Sequence, residues 1–499
     1  MRKVYRVLLC LLLCVYSFTG IGQVSSQVSD RQPPGLSAIT TADLKKDLYG
    51  IAADKFKGRS AGTLDELKSA VWWVDQLKRA GLKPAGDDGT YFQFFSLYRN
   101  RIASTTTISI GTRSLQLWKD FLLTQIAPAA VTAPVLYLGK ANNPGIASAD
   151  VKGKAVAVDV VPDSINLDVS IPEWRYHRAV MTRYGNDLLA RGAAAIIFIS
   201  DEFAEHSWNY ATENLNRGLY DIEAGPNAAV TTKAPVLWLH ASAAAWVRDS
   251  GALLKADVVV ESFTYPSVNV IGLISGSNPV LAREHVLFSG HGDAHGIRNA
   301  YAGDTIYNGA DDNASVNVAM LAVARAFKKA PAQRSALFVF HGAEERGLLG
   351  SRHFVAHPTV SLESIVAVLN GDMIGRNNPD SAAALGLQAP HKNSDDLAMM
   401  AIQANNEGPR FKLDTAWDSP KHVEGWYFRS DHLPYARLGI PALMYTTLLH
   451  ADYHTPMDNA ENIDYTKLKK MTDWIYRTGW KAANSKSRPA PIAGFRLER

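Results

Sequence analysis

The chain contains only two cysteines, Cys10 and Cys14, and both fall within its first 22 residues. The remainder can build neither a disulfide framework nor a thiolate metal site. A strong charge of either sign is also missing. The formal net charge is +4, and Arg2, Lys3 and Arg6 supply three of those charges. Without them +1 remains, too little for a basic field that would hold nucleic acid or lipid. Beyond residue 22 no stretch is apolar enough to span a membrane. There is no internal repeat, and nothing marks a particular oligomeric state.

What is present begins with a leader. Arg2, Lys3 and Arg6 precede the apolar run VLLCLLLCVYSF, and Gly20, Ile21 and Gly22 offer a small-x-small cleavage site. This is the pattern of a signal peptide over residues 1–22, the alternative being an uncleaved anchor. An exported product, periplasmic or secreted, is expected. The composition of the whole chain is ordinary for a globular protein, 47% apolar and 20% charged.

The spacing of apolar residues in LDELKSAVWWVDQLKRAG (Leu64, Leu67, Val71, Val74, Leu77) predicts a helix ending at Gly81. KPAGDDGTYFQFF reads as a turn and a strand. Between 126 and 255 the short apolar runs PVLYLG, KAVAVDVV, AAAIIFIS and APVLWLH predict a small strand-rich insertion. Beyond it, strands alternate with helices. VNVIGLI, HVLFSG, ALFVF, SIVAVL and IPALMY are compact apolar runs, as strands covered on both faces must be. SVNVAMLAVARAFKKA reads as a helix between them. The expected fold is α/β, with a mixed, mostly parallel central sheet and helices on both faces. The expected divisions are a leader 1–22, an N-terminal part 23–125 of the main domain, the insertion 126–255, the main domain proper 256–485, and a loosely held tail 486–499.

Each of the later strand runs is followed by a chemically active residue. His291 follows HVLFSG, Glu344 and Glu345 follow ALFVF, and Asp372 follows SIVAVLNG. His450, Asp452 and His454 follow IPALMYTT, and Asp311 and Asp312 open the helix in NGADDNAS. In open α/β sheets ligands gather at the carboxyl ends of the strands. Taken singly, an aspartate at a helix start or a buried histidine has a bland structural explanation. That explanation does not account for all of them at one edge. So many carboxylates repel unless cations lie among them, and imidazole with carboxylate suits zinc or a similar divalent first-row ion. Two histidines and three carboxylates are too many for one open tetrahedral ion. They fit two ions, about 3.5–4 Å apart, that share a bridging carboxylate and promote hydrolysis. The adjacent glutamates then divide the work, one as a ligand and one as a general base.

The stretches SGHGDAHG, NGADDNAS, FVFHGAEERGLLGS, LNGDMIG, FRSDHLPYARLGIPAL and YHTPMDNAENIDY, with GRSAGTLDE near the start, resemble the co-catalytic dizinc aminopeptidases. That group includes bacterial leucyl aminopeptidases and glutamate carboxypeptidase II. The resemblance implies a zinc-exopeptidase fold, two Zn2+ ions and a peptide substrate. It implies His291 and Asp372 on one ion, Glu345 and His454 on the other, and Asp312 bridging them, with Asp311 the neighbouring alternative. It makes Glu344 the general base and Asp293 the partner that orients His291. Tyr427 falls where some members stabilise an oxyanion. DVKGKAVAVDV and RGAAAIIFIS resemble a protease-associated domain, which would make the insertion a non-catalytic module. Val316 stands where the family has glycine, and Gly292 where an aromatic is frequent. The expected activity is removal of the N-terminal residue of peptides. A carboxypeptidase or dipeptidase, a glutaminyl-cyclase-like enzyme, or a non-catalytic binding protein on the same scaffold are the alternatives.

Overall fold

Strands with apolar side chains on both faces must be covered on both faces, and the five runs named above take the middle of such a sheet. A computed structural model describes residues 32–163, 165–248 and 251–499. The leader 1–22 lies outside them. Among the described residues no helix is long and apolar enough to cross a membrane.

The main sheet is mixed. Its centre is four neighbouring parallel strands in the order Ser335–His341, His285–His291, Ile365–Gly371 and Ala442–Thr446. Val260–Ile274 pairs antiparallel with the first of them and carries Phe92–Ile102 antiparallel on its other side. Ser381–Leu385 pairs antiparallel with Ala442–Thr446. Parallel pairing holds the centre and recurs where Lys412–Leu413 joins Ser381–Leu385 at one edge, and the remaining ladders are antiparallel, where the sequence had suggested a mostly parallel sheet. The physical reason is the long Phe92–Ile102 and Val260–Ile274 pair, whose alternating exposure places it at the flank.

Side chains alternate across the central strands. Val286, Phe288, Ala336 and Phe338 join one apolar cluster, which includes residues of the helices Leu64–Arg79, Val316–Lys329 and Tyr465–Asn484. Leu287, Leu337 and Val339 join another cluster with Phe354, Leu433 and Tyr435. The helix Leu64–Arg79 forms where expected, and Gly81 follows it with φ of 76°. Its inward face is not the expected one, however. Trp73, Val74, Leu77 and Ala70 are buried, while Leu64 and Val71 are 65% and 53% exposed. Trp73 draws the helix round because it stacks on Phe340 of the sheet at 5.0 Å.

A second, eight-stranded sheet is built from residues 107–258. Ala129–Lys140, Ala155–Asp159, Ala195–Ile199 and Val236–Leu239 run parallel in that order. Strands Thr107–Ile110, Arg113–Leu115 and Phe121–Leu123, which precede residue 126, also belong to it. It has apolar clusters of its own on both faces. The tail beyond Asn484 has neither helix nor strand, yet it is tied down rather than loose. Ile492 N donates to Asn393 O, Arg488 donates to Glu363 O, and Glu498 meets His391 at 2.9 Å.

Val316, the departure from the family's glycine, is accommodated by two other glycines. A Cβ on Gly371 would lie 2.8 and 2.9 Å from the two Val316 methyls, and one on Gly290 would lie 2.7 Å from Cγ1. Gly371→Ala should therefore destabilise the protein by about 1–3 kcal/mol. Adding Val316→Ala should recover most of that loss, as read by paired denaturant melts.

The tail should respond to pH. His391 lies between Asp418 (2.8 Å) and Glu498 (2.9 Å). Burial opposes its charge, but the hydrogen bonds to the two carboxylates overcome that and raise its pKa above the usual 6.5. A cation favoured by folding contributes fully below 6.5, and its contribution is lost as pH rises through the raised value. Hydrogen exchange corrected for intrinsic rates should show protection of residues 490–499 falling as pH increases through that window. In His391→Asn this pH dependence should be absent.

Candidate metal centre

Because the four central strands are parallel, their carboxyl ends open on one edge. His291 is the last residue of its strand, and Asp372 immediately follows Ile365–Gly371. After Ser335–His341 the chain turns through Ala343, at φ 53°, into the short 3-10 turn Glu344–Arg346. Asp312 lies in the irregular turn Ala310–Ser315 that leads into the helix Val316–Lys329. His454 comes from the loop after Ala442–Thr446 and also has positive φ.

These residues meet. His291 Nε2 lies 3.1 Å from Asp312 Oδ1 and 3.8 Å from both Asp372 Oδ1 and Glu344 Oε2. His454 Nε2 lies 3.2 Å from Asp312 Oδ2 and 3.5 Å from Glu345 Oε2. One oxygen of Asp312 therefore faces each histidine. Asp311 turns the other way. Its Oδ1 accepts from Gly375 N at 2.6 Å, and its Oδ2 is 3.5 Å from His450. Asp452 pairs with Arg376 at 2.6 Å and takes no part in the cluster.

Tyr427 is not brought to this cluster. Its ring stacks on His391 at 4.2 Å and meets His432 edge-on, inside the apolar cluster of the other sheet face. Its hydroxyl has no partner, and the carboxylates acting on it are Asp418 and Glu498. The tyrosine beside the cluster is Tyr453, stacked on His454 at 3.7 Å with its hydroxyl accepting from Arg429.

Residues 269–478 match the model of peptidase family M28. That segment, less than half of the chain, is similar to the family. The aminopeptidase YwaD of Bacillus subtilis is 29% identical over 191 residues, which cover 37% of this chain and only 40% of YwaD. Glutaminyl-peptide cyclotransferase of Bos taurus is 26% identical over 262 residues, 44% of this chain and 69% of that protein. The solved structure of BSAP, a zinc aminopeptidase from Bacillus subtilis, aligns with a TM-score of 0.55 at 21% identity, over 93% of this chain and 100% of that one. At that identity the likeness concerns the fold.

The segment that matches the family model holds its cluster in place with groups that spacing did not reveal. Asp293 was expected to orient His291. Its backbone carbonyl meets His291 Nδ1 at 3.1 Å, and its carboxylate is 3.7 Å away. A carbonyl there fixes the proton on Nδ1 and turns the Nε2 lone pair towards the cluster. The Asp293 carboxylate accepts from the backbone N–H groups of Glu344 (3.0 Å) and Glu345 (3.3 Å). Asp458 does the same for the other acidic pair, accepting from Asp311 N at 2.9 Å and Asp312 N at 3.0 Å. The buried guanidinium of Arg59 donates to the carbonyls of Gly292, Ile51, Asn308 and Gly309. It joins both ligand loops to the N-terminal segment. Asp458 and Arg59 act on backbone, which leaves no spacing signature. The only hint was that TPMDN and GRSAG lie within the family-like stretches.

Electrostatics asks for cations here. Burial raises Glu344, Glu345 and Asp372 above the usual carboxylate range, and neighbouring carboxylates raise them further. Burial also opposes ionisation of Asp312, yet His291 and His454 beside it hold it below that range. His291 Nε2 and Glu345 Oε1 are buried without hydrogen-bond partners. Unsatisfied imidazole nitrogen and carboxylate oxygen converging at such distances are the donors that divalent zinc takes. Three overlapping groups have donors close enough to hold an ion: His291 with Asp312 and Asp372, Glu345 with His454 and a further histidine, His295, and His291 with Glu344 and Glu345.

Asp458 offers a test that touches no ligand. Asp458→Ala should weaken metal retention by about 10–100-fold, the range for groups that support a ligand. Chelator competition read by elemental mass spectrometry measures this. Retention equal to the unaltered protein would rule out the clamp.

Proposed function

We propose that this chain is an exported zinc metallopeptidase that removes the N-terminal residue from peptides. The reading rests on Asp312, whose two oxygens face different histidines while Glu344 lies beside the cluster as a second carboxylate. His291 and Asp372 would hold one ion, Glu345 and His454 the other, and Asp312 would bridge them. The ions, when bound, supply Lewis acidity that polarises the scissile carbonyl and eases deprotonation of the attacking water. Glu344 Oε2, 3.8 Å from His291 Nε2, is placed to take the proton of that water and return it to the leaving amine.

The proposed insertion, 126–255, is read as a protease-associated module that borders the cleft. Glu213 and Asn214 accept from Arg298, on the segment after His291. On another flank Ser170 and Arg175 share Glu424 with Arg429, the partner of Tyr453. A single-ion cyclotransferase reading, which the bovine relative raises, leaves one of the two ligand groups without a purpose.

Glu344→Ala should lower kcat on a leucyl chromogenic substrate by about 100–10,000-fold while leaving two ions per chain. Glu345→Ala should lose metal as well as rate. An N-acetylated version of the substrate should not be cut. Cleavage of the blocked substrate at the same rate would replace the aminopeptidase assignment with another peptidase. A count of one ion per chain would favour the cyclotransferase reading.

A further inference from the structure

Residues 291 to 295 read His-Gly-Asp-Ala-His, and the proposed ligand sets take only the first histidine. We infer that His295 is a ligand of the second ion, so that one half of the centre is closed by protein donors and the other half stays open. The inference rests on the two-ion reading above.

The geometry is specific. The His295 side chain is 9% exposed, and its Nε2 lies 3.3 Å from Glu345 Oε2. Its ring meets that of His454 edge to face, with centroids 3.9 Å apart. The two imidazoles therefore converge on one carboxylate, within 4.8 Å of one another's donor atoms. Both nitrogens of His295 are buried without a hydrogen-bond partner. A neutral imidazole carries one donor and one acceptor, and leaving both unmade in a protein interior is costly.

His285 Nδ1 meets Ser364 and His341 Nε2 meets the Tyr435 hydroxyl, whereas His432 and His450, like His295, have both ring nitrogens without a partner. What sets His295 apart is that its Nε2 lies against Glu345 and its ring against His454. Besides Glu345, the charged groups around it are the guanidiniums of Arg298, Arg217 and Arg346. Guanidinium has no lone pair to accept a proton from imidazole. A cation held with Glu345 and His454 would take the lone pair of Nε2.

The position is also built. His295 immediately precedes the hairpin Gly296–Tyr301 and Asp304–Tyr307, which leads to Asp312. Arg298 of that hairpin is pinned to Glu213 and Asn214, on the helix Trp208–Arg217 of the insertion. The insertion thereby anchors the loop that carries the additional donor.

Counting donors gives the asymmetry. The first half has His291, Asp372 and a share of Asp312, the three ligands of a site with an open position. The second half has Glu345, His454, His295 and the other share of Asp312, the four ligands of a closed one. The closed half should load first and hold its ion longer.

The test is a zinc titration of the metal-stripped full chain against a chromophoric chelator, with Co2+ absorption spectra as a second readout. The unaltered chain should load two ions in two steps of different affinity. His295→Ala should weaken the tighter step at least about tenfold, change the visible band of the first Co2+ bound, and leave the weaker step in place. His295→Gln, which keeps the volume and polarity but not the imidazole, should behave as His295→Ala, so a packing defect cannot imitate the result. Added imidazole should restore the tighter step in His295→Gly. Variant isotherms and Co2+ spectra that overlay the unaltered chain would overturn the inference while leaving the two-ion reading intact. An unaltered chain that binds one ion only would overturn the two-ion reading, and the inference with it.

Discussion

The interior at the carboxyl edge of the sheet carries more negative charge than a protein core ordinarily accepts. Asp293, Asp311, Asp312, Asp372, Asp431 and Asp458 are buried, and Glu344 is nearly so. An isolated carboxylate moved out of water neutralises itself by taking a proton. Most of these carboxyls are pushed that way by burial and by each other. Everything around the edge can be understood as a way to keep such groups together without collapse of their charge.

Two devices do this. Asp293 and Asp458 each place both oxygens on two successive backbone N–H groups, beneath Glu344–Glu345 and Asp311–Asp312 respectively. Each adjacent acidic pair thus has its backbone held by a third carboxylate. Arg59 contributes the compensating buried cation, fixed by four carbonyls rather than by any one acid. Its own pKa falls to about 10 because burial outweighs the attraction of Asp293, Asp458, Asp312 and Glu345. What these devices leave unbalanced is the face of the cluster, and there the proposed ions would complete it.

The apolar runs HVLFSG, ALFVF, SIVAVL and IPALMY were legible because fully buried strands admit little else, and the position of His291, Glu344, Glu345 and Asp372 just after them followed from that. The burial of the helix Leu64–Arg79 was read less well. A list of apolar positions at helical spacing included Leu64 and Val71, which face solvent, and omitted Trp73, whose ring sets the packing. The tail looked loose because its residues are polar and irregular, but the restraints on it come from distant groups such as Asn393 and His391. Tyr427 occupied a suggestive place in the sequence, yet its ring turned to His391.

The sequence by itself determined that acidic and imidazole side chains would stand at successive strand ends, because strand burial and the order of elements are properties of short stretches. It could not choose between Asp311 and Asp312, which differ by one residue and point in opposite directions once Asp458 holds both of their N–H groups. Nor could it show that Asp293 serves the glutamates through its carboxylate, that Arg59 reaches Gly292 and Asn308, or that His295 lies against Glu345. Those contacts join residues tens to hundreds of positions apart. Only the closing of the sheet and its loops brings them within hydrogen-bonding distance, so only the tertiary structure decides them.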